Sequence, residues 1–301
     1  MIASQDLFNS IDPVKRKFFE MGRKADVESD AFVKVGEAED AVRHAVRYGF
    51  PGQPAVKTEN GAVSEGTSYQ GPDFTWNAVT YAAGYTVSGE AAEDSRLKAI
   101  KSAAALLGRK MEIHRDYLWQ VFFGRAFNAS YPVTDDGLNA CSASHLLADM
   151  TTTQSNVLAT AAALEEESLE AMLTQMKQVV GDDNMREAVQ PKDLIVGSTL
   201  IPIANKLYTT KQQVGTANNN DSWVKGQVKV REFNVLVSQT NWFVTGKPYA
   251  DGSDGLFFDF KKQITFMTDD TPRFWSKFYM ALYRAMFGLD NYRLLFGSNA
   301  V

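Results

Sequence analysis

An α+β fold is predicted by three features of the chain: one very long amphipathic helix, aromatic-rich extended runs concentrated late in the sequence, and a Gly/Pro-rich two-stranded arm before the helix. The arm runs from Tyr48 to Ser88. Chain breakers cluster at Gly49, Pro51, Gly52 and Pro54, then at Asn60-Gly61, Gly66 and Gly71-Pro72, with short extended runs between them. The last run, Phe74 to Val87, holds Phe74, Trp76, Val79, Tyr81, Tyr85 and Val87 and is expected to form one strand. A lone two-stranded hairpin is marginal in water, because a third strand or a covering helix is needed to bury one face. The arm is therefore expected to need a surface outside itself.

Ser88 suits a helix N-cap, and Glu90, Glu93 and Asp94 suit the positive end of the helix dipole. From there Leu97, Ile100, Ala104, Leu107, Met111, His114, Leu118 and Val121 recur at spacings of three and four, which is one stripe of a helix. The pattern ends near Phe127-Asn128, so the predicted helix has about 37 residues and spans roughly 55 Å. Ordinary globular helices are about a third as long. Gly108, Gly124 and the lack of a second matching helix argue against a coiled coil.

The remaining elements follow in order. Residues 1–47 read as an N-terminal arm with short helical patches, the clearest at Gly36 to Val46. A turn-rich stretch opens residues 134–255, and a helix is expected from Ser155-Asn156 through Leu158, Leu169, Met172, Leu173, Met176 and Val179, ending at Gly181 with Glu165 to Glu167 facing solvent. Leu194 to Val196 suit a buried strand and Leu200 to Tyr208 a helix. The Gly/Asn-rich segment Val214 to Asp221 reads as a surface loop, and strands are expected in Val228 to Val237 and Trp242 to Val244. Two long strands, Phe257 to Thr268 and Phe274 to Phe287, flank a turn at Asp269 to Pro272. The second also admits a helical pattern, but its dominant aromatic residues favour a strand.

Composition narrows the function. The chain has 301 residues, enough for one large domain or two to three small ones, with 45% hydrophobic and 22% charged residues. A net charge of −5 argues against a protein whose task is gripping nucleic acid. The densest basic run, Lys15-Arg16-Lys17, is soon balanced by Glu20, Asp26, Glu28 and Asp30 and reads as a solvated helix face. No run approaches about 18 consecutive apolar residues, and the start lacks the basic-then-apolar order of a signal peptide. No membrane partner is expected, and the chain is expected in the cytoplasm where it is made.

A search for chemistry returns little. His44, His114 and His145 show no zinc-binding spacing, and His114 lies on the apolar stripe, where a hydrogen-bonded packing role is expected. Cys141 and His145 are the close pair that could pose as thiol and base, yet nothing nearby supplies an orienting third group. Asn241 stands where a phosphate loop ending in Gly246-Lys247 needs glycine. Asp135-Asp136, Asp182-Asp183 and Asp269-Asp270 adjoin turn signals and are expected to be solvated turn residues. No catalytic, metal or cofactor-binding residue is assigned.

In order, these pieces resemble the major capsid proteins of tailed bacteriophages with the HK97 fold, particularly the Mu-like major head subunit branch. The local matches are Asp193-Leu194-Ile195-Val196 with Leu200 and Ala204, then Asn241-Trp242-Phe243, then Arg284 to Gly297. Ser144-His145-Leu146 departs from the branch, which often has His-Pro there. The resemblance implies an N-terminal arm (1–47), an extended E-loop (48–88), a P domain with its long spine helix (89–133), an A domain (134–255) and a returning P-domain β-element (256–301). It implies hexamers and pentamers closing an icosahedral head around dsDNA that is not read by sequence. Portal and possible scaffold, protease or decoration partners follow, with assembly in the host cytoplasm. Under that reading Lys57, Glu59, Glu65, Tyr69, Phe74 and Trp76 are candidate inter-subunit contacts. Some relatives cross-link an E-loop lysine, and Lys57 is the arm's one lysine, but no cross-link is predicted. Two rivals stay open: an encapsulin-like nanocompartment shell, and a cytoplasmic thiol hydrolase using Cys141.

Overall fold

The computed structural model describes residues 13–49, 56–57, 59–63, 68–88, 90, 97–182, 185–210, 222–247, 255–271 and 276–300. In chain order its elements are α1 (Pro13–Gly22), β1 (Lys34–Glu37), β2 (Val42–Gly49), β3 (Tyr69–Asn77), β4 (Val79–Ser88), α2 (Leu97–Arg125), β5 (His145–Leu146), β6 (Thr153–Gln154), α3 (Glu166–Lys177), β7 (Pro191–Val196), α4 (Ile201–Thr209), β8 (Lys229–Glu232), β9 (Trp242–Gly246), β10 (Leu256–Thr271), β11 (Ser276–Leu289) and β12 (Leu295–Ser298). Helices and strands are segregated around two four-stranded sheets, the α+β arrangement expected.

The long helix α2 has 29 described residues, a length of about 44 Å. Its predicted stripe faces inward: Ile100, Ala104, Leu107, Met111 and Leu118 are buried. His114 packs as expected, its Nδ1 2.6 Å from the Tyr283 hydroxyl. The two tyrosine columns Tyr81/Tyr283 and Tyr85/Tyr279, each with ring centroids 5.2 Å apart, come from β4 and β11. The Tyr85 hydroxyl donates to the Ile100 carbonyl at 3.2 Å, which ties the strand to the helix. Helix α1 packs against α2, where the Phe18 carbonyl occupies the space a Cβ on Gly108 would need. That close approach explains a glycine inside a long helix, which otherwise costs about 1 kcal/mol against alanine.

The first sheet has the order β1-β10-β11-β4, with β1 parallel to β10 and the other pairs antiparallel. Tyr279, Ala281, Tyr283 and Ala285 are buried on alternate positions of β11, so the strand reading of this segment holds. The second sheet runs β12-β9-β7-β8. Leu194 and Val196 of β7, Trp242 and Val244 of β9, and Phe296 of β12 join Met172, Leu173 and Met176 of α3 in a second core. Trp242 Nε1 donates to the Ala162 carbonyl at 3.1 Å.

Several expectations need correction. Gly36 to Val46 is not helical but lies in β1 and β2, because Gly36 pairs with Asp259 and Val42 with Asn77. Strand pairing overrides an Ala/Glu-rich local preference there. Phe74 to Val87 is two strands, since the chain changes partner at Ala78, whose N–H donates to the Ala41 carbonyl at 2.9 Å. The helix expected from Ser155 begins at Glu166, after a capping box between Glu165 and Ser168. Buried Asn156 is instead a backbone tie, its side-chain amide donating to the carbonyls of Ala140 at 2.7 Å and Leu295 at 2.9 Å. Within Val228 to Val237 only Lys229–Glu232 is a strand. β10 continues through Asp269 to Thr271, which replaces the start of the expected turn. The Val214 to Asp221 loop lies outside the described residues.

Candidate assembly site

The arm is rooted by strands β2 and β3, paired antiparallel from Val42↔Asn77 to Gly49↔Tyr69. This two-stranded sheet is covered at its root by the chain itself. Trp76 is 8% exposed and packs edge-on against Phe257 at 5.2 Å and Phe74 at 4.9 Å. Met286 completes this small core, and Gly288 makes room for the Trp76 indole. β4, the last part of the arm as expected from sequence, pairs with β11 from Val79↔Ala285 to Ser88↔Ser276. The claim that Tyr48 to Ser88 depends on neighbours for its order is therefore corrected for residues 69–88. Backbone pairing within one chain orders them.

Successive strand residues alternate between faces, so Arg43, Ala45 and Arg47 of β2 share one. Arg43 donates from Nη1 to Asp259 at 2.7 Å and from Nη2 to Asp290 at 3.2 Å, and its guanidinium lies 4.0 Å over the Phe257 ring. Arg47 donates from Nε to Asp135, from Nη2 to the Leu146 carbonyl at 3.0 Å and from Nη1 to Asp182 at 3.4 Å. Its guanidinium is 5.1 Å from the centre of the Tyr292 ring.

Asp182 also receives Arg293, from Nη2 at 2.7 Å and Nη1 at 3.0 Å, and the Ala148 N–H at 2.8 Å. Burial opposes ionisation of this carboxyl, but the Arg293 hydrogen bonds and charge, with Arg47 and Ala148, outweigh it and hold its pKa below the usual range. Asp135 is the reverse case, with burial exceeding the pull of Arg47 and raising it. Asp136 accepts from Thr134 Oγ1 at 2.5 Å and the Leu146 N–H at 2.9 Å, and pairs with His145 Nδ1 at 2.7 Å. The His145 ring stacks on Tyr292 with centroids 4.1 Å apart. Asp135, Asp136 and Asp182 are thus not solvated turn residues but buried members of a charge network. Asp183 lies outside the described residues, and Asp269 and Asp270 are extended in β10, opposite Phe278 and Lys277.

Burial opposes charge on Asp136 too, yet His145, the Thr134 hydroxyl and the Leu146 N–H together bring its pKa to about 2. The unfolded carboxyl titrates near about 4. As pH falls below that value the unfolded chain takes up the proton first, so this contribution is full above it and lost toward the folded pKa. The expected loss is about 2 kcal/mol for the one group. Denaturant unfolding of the unassembled chain from pH 5 to pH 2.5 should show it, and Asp136→Asn should flatten that part of the profile. Equal pH slopes would refute it.

Cys141 and His145 are not arranged as a thiolate and its base. Cys141 is buried, and burial pushes its thiol well above the ordinary range, which leaves no thiolate near neutral pH. His145 Nδ1 is committed to Asp136. Among the described residues no group of three His, Cys, Asp or Glu could hold a metal ion. No described helix is long and apolar enough to cross a membrane.

The predicted contact residues fall into two groups. Lys57 and Glu59 are exposed, and Val56 and Val63 beside them are 95% and 69% exposed. Glu65 lies outside the described residues. Tyr69 pairs with Gly49 in the hairpin, Phe74 is half-buried, and Trp76 turns into the chain's own core. The sequence reading does not single out Arg43, inside the helical patch expected over Gly36 to Val46, or Arg47, one residue past it. A strand reading would have placed both on one face.

A two-sheet body with a hairpin packed into its core, and with Val56 and Val63 exposed beyond that hairpin, is the geometry of a structural protein that assembles. The sequence pattern of the family described as phage capsid protein matches residues 72–281, and the chain belongs to that family. It is a phage capsid protein, a shell-forming structural component of the virion. Its HK97-like fold is similar to that of a Microbacterium phage Oxtober96 structure, with a TM-score of 0.56, 9% identity and 92% of each chain covered. A Mycobacterium phage Adephagia structure is similar at a TM-score of 0.55 and 11% identity, over 91% of this chain and 90% of that one. The capsid of a native GTA particle is similar at 0.54 and 12%, again over 91% and 90%. No curated protein sequence matches the chain.

Proposed function

We propose that this subunit forms hexamers and pentamers that close the head around a dsDNA genome, with the arm lying across a neighbouring subunit. The reading rests above all on the arm: its root is fastened to the body, while Val56 and Val63 stand exposed beyond the β2–β3 hairpin. An extended segment crossing a neighbour adds interface area without enlarging the core. Residues 1–47 then act as the N-terminal arm, 48–88 as the E-loop, 89–133 and 256–301 as the P domain and 134–255 as the A domain. Lys57, Glu59, Glu65, Tyr69 and Phe74 are proposed to contact neighbours, whereas buried Trp76 serves as root. The subunit is proposed to act without catalysis or cofactor, to assemble in the host cytoplasm, and to work with a portal and with scaffold, protease or decoration proteins. The DNA is held without sequence-specific contact, which agrees with a net charge of −5.

The register of the hairpin dictates the test. Deleting Tyr48 to Ser88 outright would remove β3 and β4, which eliminates the β2–β3 sheet and strips the edge strand from the first sheet. Replacing residues 50–68 with an Asn-Gly turn instead joins Gly49 directly to its partner Tyr69. Wild-type protein produced with its assembly partners should form closed shells in electron micrographs. The shortened variant should keep the wild-type unfolding temperature and form none. Normal closure by that variant would overturn the reading.

A further inference from the structure

We infer that Arg43 and Arg47 are positioning residues that set the direction in which the arm leaves the body. The inference rests on the arm's proposed role between subunits and adds the device that aims it. Four residues apart in a strand, the two side chains fasten β2 at points roughly 13 Å from each other. One point of attachment leaves a strand free to pivot, whereas two define its axis. The anchors are also separate parts of the body. Arg43 reaches Asp259 on β10 and Asp290 just after β11, both at the first sheet. Arg47 reaches Asp135, after the long helix, and Asp182, which Arg293 holds from the segment between β11 and β12.

The anchors are rigid themselves. Asp259 lies against Gly36 of β1, where a Cβ would collide with its Oδ1, and Asp182 is gripped by both Arg293 nitrogens and the Ala148 N–H. Each guanidinium also sits over an aromatic ring, Phe257 for Arg43 and Tyr292 for Arg47. A planar fork that stacks and donates to two acceptors has a defined orientation, which a lysine ammonium cannot reproduce. The intervening apolar contacts of Trp76 and Phe74 hold the root down, but hydrophobic contact is non-directional. Adhesion thus comes from the aromatics and aim from the arginines.

The test uses the full chain with nitroxide labels at Gln70→Cys, exposed on β3 opposite Tyr48, and Lys110→Cys on the long helix, with Cys141 buried and left in place. Pulsed electron resonance on unassembled protein should give one narrow distance in the otherwise wild-type chain and a broad one in Arg43→Ala/Arg47→Ala. Losing the charged hydrogen bonds of both arginines should lower the population of the aimed direction by at least about tenfold. Closed shells should fall at least as far. Arg43→Lys/Arg47→Lys keeps both charges and should broaden the distance while leaving the unfolding temperature near wild type, which a merely structural role would not predict; it also serves as the comparison if the alanine pair does not fold. If the unsubstituted chain forms shells and both pairs keep its narrow distance and shell yield, the inference is overturned. If the unsubstituted chain forms no shells with its partners, the proposed function fails instead, and the distance measurement still decides the aim of the arm.

Discussion

Asp182→Ala should destabilise the subunit by about 3–5 kcal/mol, because it strands a buried positive charge. The Arg293 side chain is 3% exposed and has both terminal nitrogens on Asp182, which also receives Arg47 and the Ala148 N–H. Removing the carboxylate takes both terminal-nitrogen acceptors from the buried Arg293 and one acceptor from Arg47. Truncating one partner of a buried pair costs far more than replacing both. Asp182→Leu with Arg293→Met should therefore recover much of the loss from Asp182→Ala, although Arg47 still forfeits one of its acceptors. Urea unfolding of the unassembled chain measures all three proteins. A loss below about 1 kcal/mol for Asp182→Ala would mean that the charge reaches solvent, contrary to its burial.

Trp119→Ala should cost a similar amount, about 3–5 kcal/mol, for a different reason. This indole is fully buried on the inner face of the long helix, with ring centroids 5.1 Å from Phe122, 6.0 Å from Phe123 and 5.5 Å from Phe287. Those neighbours belong to a helix and a long strand that cannot both collapse into the space vacated. Part of the cost is thus lost transfer energy and part is an unfilled cavity. Trp119→Phe keeps a ring there and leaves Nε1, which has no hydrogen-bond partner, out of the core. It should be much the milder of the two by thermal unfolding. Equal losses from both would point to a specific role for the indole beyond volume.

Most elements with a clear period were legible in the chain. The three-and-four spacing from Ile100 to Leu118 marked the face of the long helix that is buried, and alternation with aromatic residues marked β11 against the helical alternative. The buried run Leu194 to Val196 and the following helix were also found. Misreadings came where local preference and tertiary pairing disagree. Gly36 to Val46 is rich in Ala and Glu, yet its residues find strand partners at Asp259, more than 200 positions from Gly36, and at Asn77, 35 positions from Val42. No local window contains either partner. The aspartate doublets failed for the same reason, since Asp135 and Asp182 look like turn residues until Arg47 and Arg293 arrive from distant segments. The assembly arm was found from its breakers, but not how its root is held.

The sequence by itself determined the class of fold, the long helix and its buried side, the paired strands of β10 and β11, and the presence of an arm built unlike the rest. These depend on periodicity and turn chemistry, which act between near neighbours. Tertiary structure alone decided that β3 and β4 take different partners at Ala78, that Trp76 turns inward, and that two arginines on one strand meet four aspartates from four segments. Charge pairing and strand partnership depend on distance in space, and the folded chain alone brings such residues together.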